Sequence, residues 1–263
     1  MRRFFLHLAY NGRSFCGWQV QPNAPSVQGT LENALAVLFK THVRLTGAGR
    51  TDTGVHAVSY YAHFDLEESQ WSAAVARSGK ATDALDDIYA HWVYQLNALV
   101  GAEIAVFRLF ETSVDCHARF SAVERTYRYY FHLRKNPFIA ECSYFVRTSL
   151  DFSAMRSAMA FLVGRRDFSA FEKLHGADNS HVCDLRRAEI QALGEERYCL
   201  VFSADRFLRN MVRAMAGTLF AVGQGRFAAS DMPAILSGRD RGRAGESVPG
   251  YALFLQEVRY PDW

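Results

Sequence analysis

The sequence predicts an α+β fold of two related domains with mainly antiparallel sheets, and three observations carry this. Residues 3–9, 55–64, 124–133, 185–193 and 197–204 have the alternation and the β-branched and aromatic content of strands. Stretches of helical period fall between them, at 26–40, 88–100, 151–164 and 207–222. The strands do not alternate regularly with helices, which argues against a parallel βαβ stack. A coarse strand–helix–strand order can be traced in both halves, but too weakly for the sequence alone to prove a duplication. At 263 residues the chain has room for about two domains of roughly 100–200 residues each.

The elements follow in order. Residues 3–9 form a first strand, and Tyr10 to Pro25 is a loop rich in Asn, Gly, Gln and Pro. Ser26 caps a helix running to Lys40, with Val27, Leu31, Ala34, Leu35 and Leu38 on one face. His42–Leu45 reads as a short strand, Gly47–Gly54 as a tight glycine loop, and Val55–Phe64 as a strand with Val58, Tyr60, Ala62 and Phe64 on one face. Residues 66–87 are polar, small and acidic, and are expected to be an insertion or flexible excursion. A helix over Ile88–Val100 and a strand over Ile104–Phe110 precede the domain division, placed near residue 110 to give domains 1–110 and 111–263. The second domain begins with a strand at Glu124–Leu133, with Tyr127, Tyr129, Phe131 and Leu133 on one face. Asp151 caps a helix ending near Gly164, and Leu185–Leu193 with Arg197–Ala204 forms a hairpin. A helix at Phe207–Val222, a short one at Asp231–Ser237, a basic loop and a strand at Ala252–Tyr260 complete the chain.

Composition narrows the class of protein. With 49% hydrophobic and 22% charged residues the chain is neither disordered nor fibrous. No apolar run approaches the ~18 residues of a membrane span, and the N-terminal residues lack the pattern of a signal peptide, so the expectation is a cytoplasmic protein with no membrane partner. Five scattered cysteines with no CxxC pair argue against a disulfide framework or a zinc ribbon. The formal net charge is only +3, but it is unevenly spread. Asp65–Asp115 holds nine acidic and three basic residues, whereas Arg197–Arg243 holds eight basic and three acidic. The C-terminal half is thus the side suited to an anionic partner.

The most informative run is Gly47-Ala48-Gly49-Arg50-Thr51-Asp52-Thr53-Gly54-Val55-His56-Ala57. Its three glycines permit a tight loop. Arg50 and Asp52 are two apart, so an extended backbone points both side chains the same way. An ionised carboxylate at a loop tip suits a nucleophile better than a general acid. The run lacks the Gly-Lys-Ser/Thr ending of a phosphate-binding loop. His56 and His63, seven apart on a strand, are poorly placed to share a metal ion, so no metal is expected. An Asp–Arg pair bracing a turn is the alternative for an isolated loop of this kind.

Four further stretches bear on that alternative. They are Tyr10-Asn11-Gly12 with Phe15-Cys16-Gly17-Trp18-Gln19 and Ser26-Val27-Gln28; His117-Ala118-Arg119-Phe120-Ser121-Ala122 with Arg125-Thr126-Tyr127-Arg128-Tyr129; Gly164 with Asp167-Phe168-Ser169-Ala170-Phe171; and Phe207-Leu208-Arg209-Asn210-Met211-Val212-Arg213 with Gly217-Thr218-Leu219. Together with the Asp52 run they resemble, in order and along nearly the whole chain, the bacterial tRNA pseudouridine synthase A family. The resemblance implies two domains forming a central active-site cleft, no cofactor, a tRNA substrate modified at positions 38, 39 and 40 of the anticodon stem-loop, and a homodimer. It places Asp52 on the catalytic aspartate and Arg50 on the arginine that helps displace the target base. Tyr127 falls on the tyrosine that contacts the uridine, Arg213 on the basic partner of the aspartate, and Leu253 near the apolar motif beside the base. The sequence departs from the family at Leu99-Val100, at Arg206 where a glycine is usual, and at Ala252-Leu253 where Gly-Leu is usual.

These residue types suit the reaction. Pseudouridine formation breaks the C1′–N1 bond, turns the uracil and joins C5 to C1′, conserving every atom. A glycoside hydrolase usually carries two carboxylates, one of them to activate water. A rearrangement that must exclude water needs one, used in attack on C1′, addition to C6 or abstraction of the C2′ proton. The grip on RNA is expected from Arg206, Arg209, Arg226, Arg239, Arg241 and Arg243. A non-catalytic tRNA-binding module would share this composition but would not require Asp52, Tyr127 and Arg213 together. A nucleoside hydrolase would require an aspartate cluster for calcium.

Overall fold

In the computed structural model, residues 1–80, 84–173 and 180–261 are described. The chain divides into two units, Met1–Ala122 with Glu257–Trp263, and Val123–Gln256. Each is an α+β layer with a mainly antiparallel sheet.

In the first unit the elements are β1 (Arg2–Tyr10), α1 (Val27–Phe39), β2 (Thr46–Gly47), β3 (His56–Leu66), α2 (Glu68–Ser78), α3 (Leu85–Leu99) and β4 (Ile104–Thr112). The strand order is β4-β1-β3, with β2 paired to β3. Alternation sends Phe4, Leu6 and Leu8 of β1, and Tyr60, Ala62 and Phe64 of β3, into the core under the helices. There the Phe39 ring meets Trp92 edge-on at 5.1 Å and Phe64 at 5.6 Å. The other sheet face carries the His7 ring stacked on Tyr61 at 4.5 Å and the Phe5 ring stacked on His63 at 5.5 Å. Residues 113–122 are tied to that second face. Ala118 N–H donates to His63 Nδ1 (3.1 Å), and the Tyr260 hydroxyl donates to the Ala118 carbonyl (2.6 Å). This puts the division at 122/123 instead of near 110, and returns the last residues of the chain to the first unit.

Three local expectations for this unit are corrected. His42–Leu45 is not a strand, and the short strand lies at Thr46–Gly47. Side chains capture the backbone before it: Leu45 N–H donates to Glu32 Oε1 (2.8 Å), and its carbonyl accepts from Gln28 Nε2 (3.1 Å). Val58 leaves the core face of β3 and is 43% exposed, because a bulge between the Leu8–Tyr60 and Tyr10–Ala57 pairs resets the alternation. The 66–87 stretch, expected to be flexible, contains α2 and the start of α3, while residues 81–83 lie outside the described residues. Ala74 and Val75 supply the buried face of α2.

In the second unit the elements are β5 (Glu124–His132), β6 (Tyr144–Phe145), α4 (Phe152–Leu162), β7 (Gly164–Asp167), β8 (Val182–Gly194), β9 (Arg197–Ala204), α5 (Met211–Gly223), α6 (Met232–Gly238) and the start of the final strand β10 (Leu253–Arg259), whose residues from Glu257 belong to the first unit. The order β5-β9-β8-β7 is antiparallel throughout, and β6 joins β5 in parallel. Asp151 caps α4 by accepting from Ala154 N–H (2.9 Å), a bond worth about 1 kcal/mol. The β8–β9 hairpin turns at Glu195-Glu196, both with left-handed φ (52° and 56°), the two-residue turn that matches strand twist. Helices α4 and α5 pack against each other over a core that includes Phe131, Phe202, Met155, Met159, Met215 and Phe220. Among the described residues no helix is long and apolar enough to cross a membrane.

The late helix starts four residues after the expected Phe207. The Asp205 carboxylate accepts the N–H groups of Asp184 and Arg206, and Asn210 takes a left-handed φ of 67°. Residues 207–210 are therefore an ordered approach to α5 and not its first turn.

Candidate active site

In the first unit the Asp52 loop is held by backbone bonds on several sides. Trp18 N–H donates to the Thr51 carbonyl (3.2 Å), Gly54 N–H to the Phe15 carbonyl (3.3 Å) and Val55 N–H to the Asp52 carbonyl (3.1 Å). The Thr51 hydroxyl pairs with the buried Tyr10 hydroxyl at 2.9 Å. Of the three glycines in the loop only Gly54 takes a positive φ, 76°. Beneath the loop the Trp18 and Tyr60 rings lie 4.2 Å apart, and the Tyr60 hydroxyl donates to the Gly49 carbonyl. The Asp52 side chain is half-buried on this braced turn. Arg50 is exposed, and its Nε donates to Gln19 Oε1 (3.2 Å). Gln19 donates in turn to Gln28 (2.8 Å), and Gln28 to Glu32 (2.9 Å). This amide relay fastens Arg50 to α1. The strand–helix reading of residues 3–40 does not find it; Gln28 and Glu32, four apart on α1, were the available signal.

In the second unit Tyr127 stands half-buried on β5, its ring edge-on to Phe207 at 5.2 Å. Arg213 lies in the first turn of α5 and is half-buried. Its Nε donates to the Val248 carbonyl (2.7 Å), and Val248 N–H donates back to the Arg213 carbonyl (3.3 Å). The 245–248 segment is itself fastened to the helix. Gly245 N–H donates to the Thr218 hydroxyl (2.8 Å), and Asn210 Nδ2 donates to the Ser247 hydroxyl (2.7 Å). A β-carbon on Gly217 would lie 1.7 Å from the Glu246 carbonyl oxygen, so the segment approaches the helix only because that residue has none. An isolated glycine inside an apolar helix was the available signal for this contact. Leu253, at the start of β10, is buried, and Tyr251 two residues before it is half-buried.

The six arginines expected to grip RNA divide by what they already hold. Arg209, Arg226, Arg239 and Arg243 are exposed. Arg239 pairs with Asp167 at 3.1 Å, and Arg226 donates to Gln224 (2.7 Å). Arg206 is half-buried at the entrance to α5. Arg241 is half-buried and donates to the Ser247 hydroxyl (2.8 Å), and its burial lowers its affinity for a proton. That contact makes it a support for the segment behind Arg213.

Chemically, the first unit offers a carboxylate on a preorganised turn with a cation on the same loop. The second offers an aromatic ring, a guanidinium fixed by a carbonyl, and an apolar strand start. A family model described as tRNA pseudouridine synthase matches residues 158–261. Along its whole length the chain is similar to tRNA pseudouridine synthase A of Parabacteroides distasonis, 42% identical over 262 residues, with 100% of this chain and 97% of that protein covered. It is 41% identical over 262 residues to tRNA pseudouridine synthase A of Porphyromonas gingivalis, covering 99% and 98%. It is 38% identical over 264 residues to that of Paraburkholderia phymatum, covering 100% and 92%. The chain belongs to the tRNA pseudouridine synthase A family.

Proposed function

We propose that this tRNA pseudouridine synthase converts uridine to pseudouridine at positions 38, 39 and 40 of the anticodon stem-loop, with Asp52 as nucleophile on a base turned out of its stack. The reaction is an isomerisation, so it consumes no redox equivalent and needs no cofactor. The observation that best supports the role of Asp52 is its loop, fixed through Trp18, Phe15 and Tyr10 before any substrate arrives. A preorganised carboxylate spends no reorganisation energy at the moment of attack.

The other roles follow from residue chemistry. Tyr127 offers a ring on which the uracil stacks, worth roughly 1–3 kcal/mol per base. Turning the base out costs a few kcal/mol, and Arg50 fills the space it leaves or meets the adjacent phosphate. Arg213 serves as the basic partner of the reacting carboxylate, a role that a planar guanidinium fills better than an ammonium. Leu253 keeps water from the cleaved C1′, where hydrolysis would leave an abasic site. The exposed arginines Arg209, Arg226 and Arg243 supply the phosphate grip. Two copies of the chain act together, because an L-shaped tRNA is larger than one 29.7 kDa subunit. Its compartment is that of its substrate, the cytoplasm.

The test is incubation with an unmodified tRNA transcript, followed by carbodiimide treatment and primer extension. The expected result is strong stops at positions 38–40 with the wild-type protein and none with Asp52→Asn, which should still bind tRNA within about tenfold because phosphate contacts dominate affinity. Turnover retained by Asp52→Asn removes that residue from the mechanism. Tight binding by a wild-type protein that leaves uridine unchanged marks a tRNA-binding module instead.

A further inference from the structure

On β5, within the second unit, lies a buried polar group that the proposed reaction does not use. On β5 the side chains of Tyr127, Tyr129 and Phe131 share one face, since they alternate by two. On α5, Arg213 and Phe220 share a face, seven residues apart. Phe131 meets Phe220 edge-on at 5.0 Å. The Tyr129 ring lies 6.1 Å from Phe220 and 6.3 Å from Tyr144, which β6 brings alongside β5. The turn at Gly250–Ala252, carrying Tyr251, packs against the same strand.

Tyr129 is fully buried, and among the described residues its hydroxyl has no hydrogen-bond partner. Phenylalanine would fill the same volume without that cost, because a buried polar group left unpaired is unfavourable. Burial holds the phenol in its neutral form, and Tyr251, Tyr144 and Arg213 are the titratable or charged groups near enough to act on it electrostatically. Arg213 is the one cation among them. Its Nε is committed to the Val248 carbonyl, which fixes one edge of the guanidinium. A neutral phenol oxygen is an acceptor suited to a second edge.

We propose that Tyr129 is a positioning residue for Arg213: its hydroxyl oxygen accepts an N–H of the Arg213 guanidinium when the uridine nucleotide is bound, and so sets the plane in which that guanidinium acts. The hydroxyl is thus kept for the loaded site, and its missing partner in the free protein is the cost of that readiness. This inference rests on the proposed pseudouridine synthase reaction.

The experiment compares Tyr129→Phe with the wild type on an unmodified anticodon stem-loop transcript, with thermal unfolding in parallel. The expected result is a kcat about tenfold lower, a KM within twofold, and a melting temperature unchanged or raised. In an Arg213→Lys background, followed in single turnover, the same change should cost less than twofold. A Tyr129→Phe protein with wild-type kcat overturns the inference. So does one whose melting temperature falls along with its activity, or one that loses the full tenfold in the Arg213→Lys background. A wild-type protein that leaves uridine unchanged overturns the reaction itself, whereas an active wild type matched by Tyr129→Phe overturns only the role of Tyr129.

Discussion

Gly17 lies against Thr51 so closely that a β-carbon on Gly17 would reach 2.4 Å from the Thr51 carbonyl oxygen. The next residue, Trp18, donates its N–H to that same oxygen at 3.2 Å. The loop after β1 thereby sets the height of the residue preceding Asp52. Gly17 also holds a φ of 94°, which a side chain rarely adopts.

Gly17→Ala is therefore expected to destabilise the protein by roughly 1–3 kcal/mol, since neither the backbone nor the Thr51 carbonyl can give way cheaply. Its effect on turnover should exceed its effect on tRNA affinity, because the loop moves while the arginines of the second unit do not. Denaturant unfolding and kcat measured beside tRNA binding check both parts. A variant with wild-type stability would show that the contact is relieved without cost.

Gly217→Ala opposes helix propensity to packing. Alanine inside a helix is ordinarily better than glycine by about 1 kcal/mol. Here its β-carbon would sit 1.7 Å from the Glu246 carbonyl oxygen, so the sign should reverse. A net loss of about 2–3 kcal/mol is expected, in the range of an overpacked site. The displaced 245–248 segment carries the Val248 carbonyl that holds Arg213, so kcat should fall as well. Thermal unfolding and single-turnover rates read the two effects separately.

His63 makes the first unit sensitive to mild acid. Burial, with Arg3 and His117 nearby, pushes its imidazole down from 6.5 to about 4, while Asp65 opposes the shift. Its Nδ1 must stay unprotonated to accept from Ala118. The unfolded chain therefore binds a proton that the folded chain refuses between pH 6.5 and about 4. Stability is full above that window and is lost as the pH falls through it, by roughly 2 kcal/mol once solvent screening is allowed for. His63→Asn, which keeps an acceptor and removes the titration, should flatten this stretch of the pH–stability curve. An unchanged slope would assign the acid sensitivity elsewhere. The Arg3-paired Asp65, whose carboxyl is held below its ordinary value of 3.8, contributes only at still lower pH.

How much of this was legible in the sequence depended on whether a feature is local. The strands at 2–10 and 124–132 are periodic patterns, and the Ser26 and Asp151 caps are single-residue signals, so all four are readable from neighbours alone. The glycine loop was readable as a loop, but its bracing by Trp18 and Phe15 joins residues more than thirty positions apart. The start of α5 was placed too early because Phe207 and Leu208 fit the apolar period, whereas the Asp205 contacts that delay the helix come from another strand. Residues 66–87 looked unstructured because α2 buries only a narrow face of small residues, Ala74 and Val75. Tyr129 shares its strand face with Phe131 and its ring packs in the core; only the surroundings of its hydroxyl distinguish it from phenylalanine.

The bond from the Tyr260 hydroxyl to the Ala118 carbonyl bears on how the molecule is made. The first unit is synthesised first, yet residues from Glu257 onward belong to it. While the ribosome is still translating, residues 1–122 lack that closing contact, and the second unit has its whole chain in hand earlier. The older half of the polypeptide is thus the younger half of the finished fold, and a chain cut before Glu257 should have a weakened N-terminal unit while every residue of the second unit is kept.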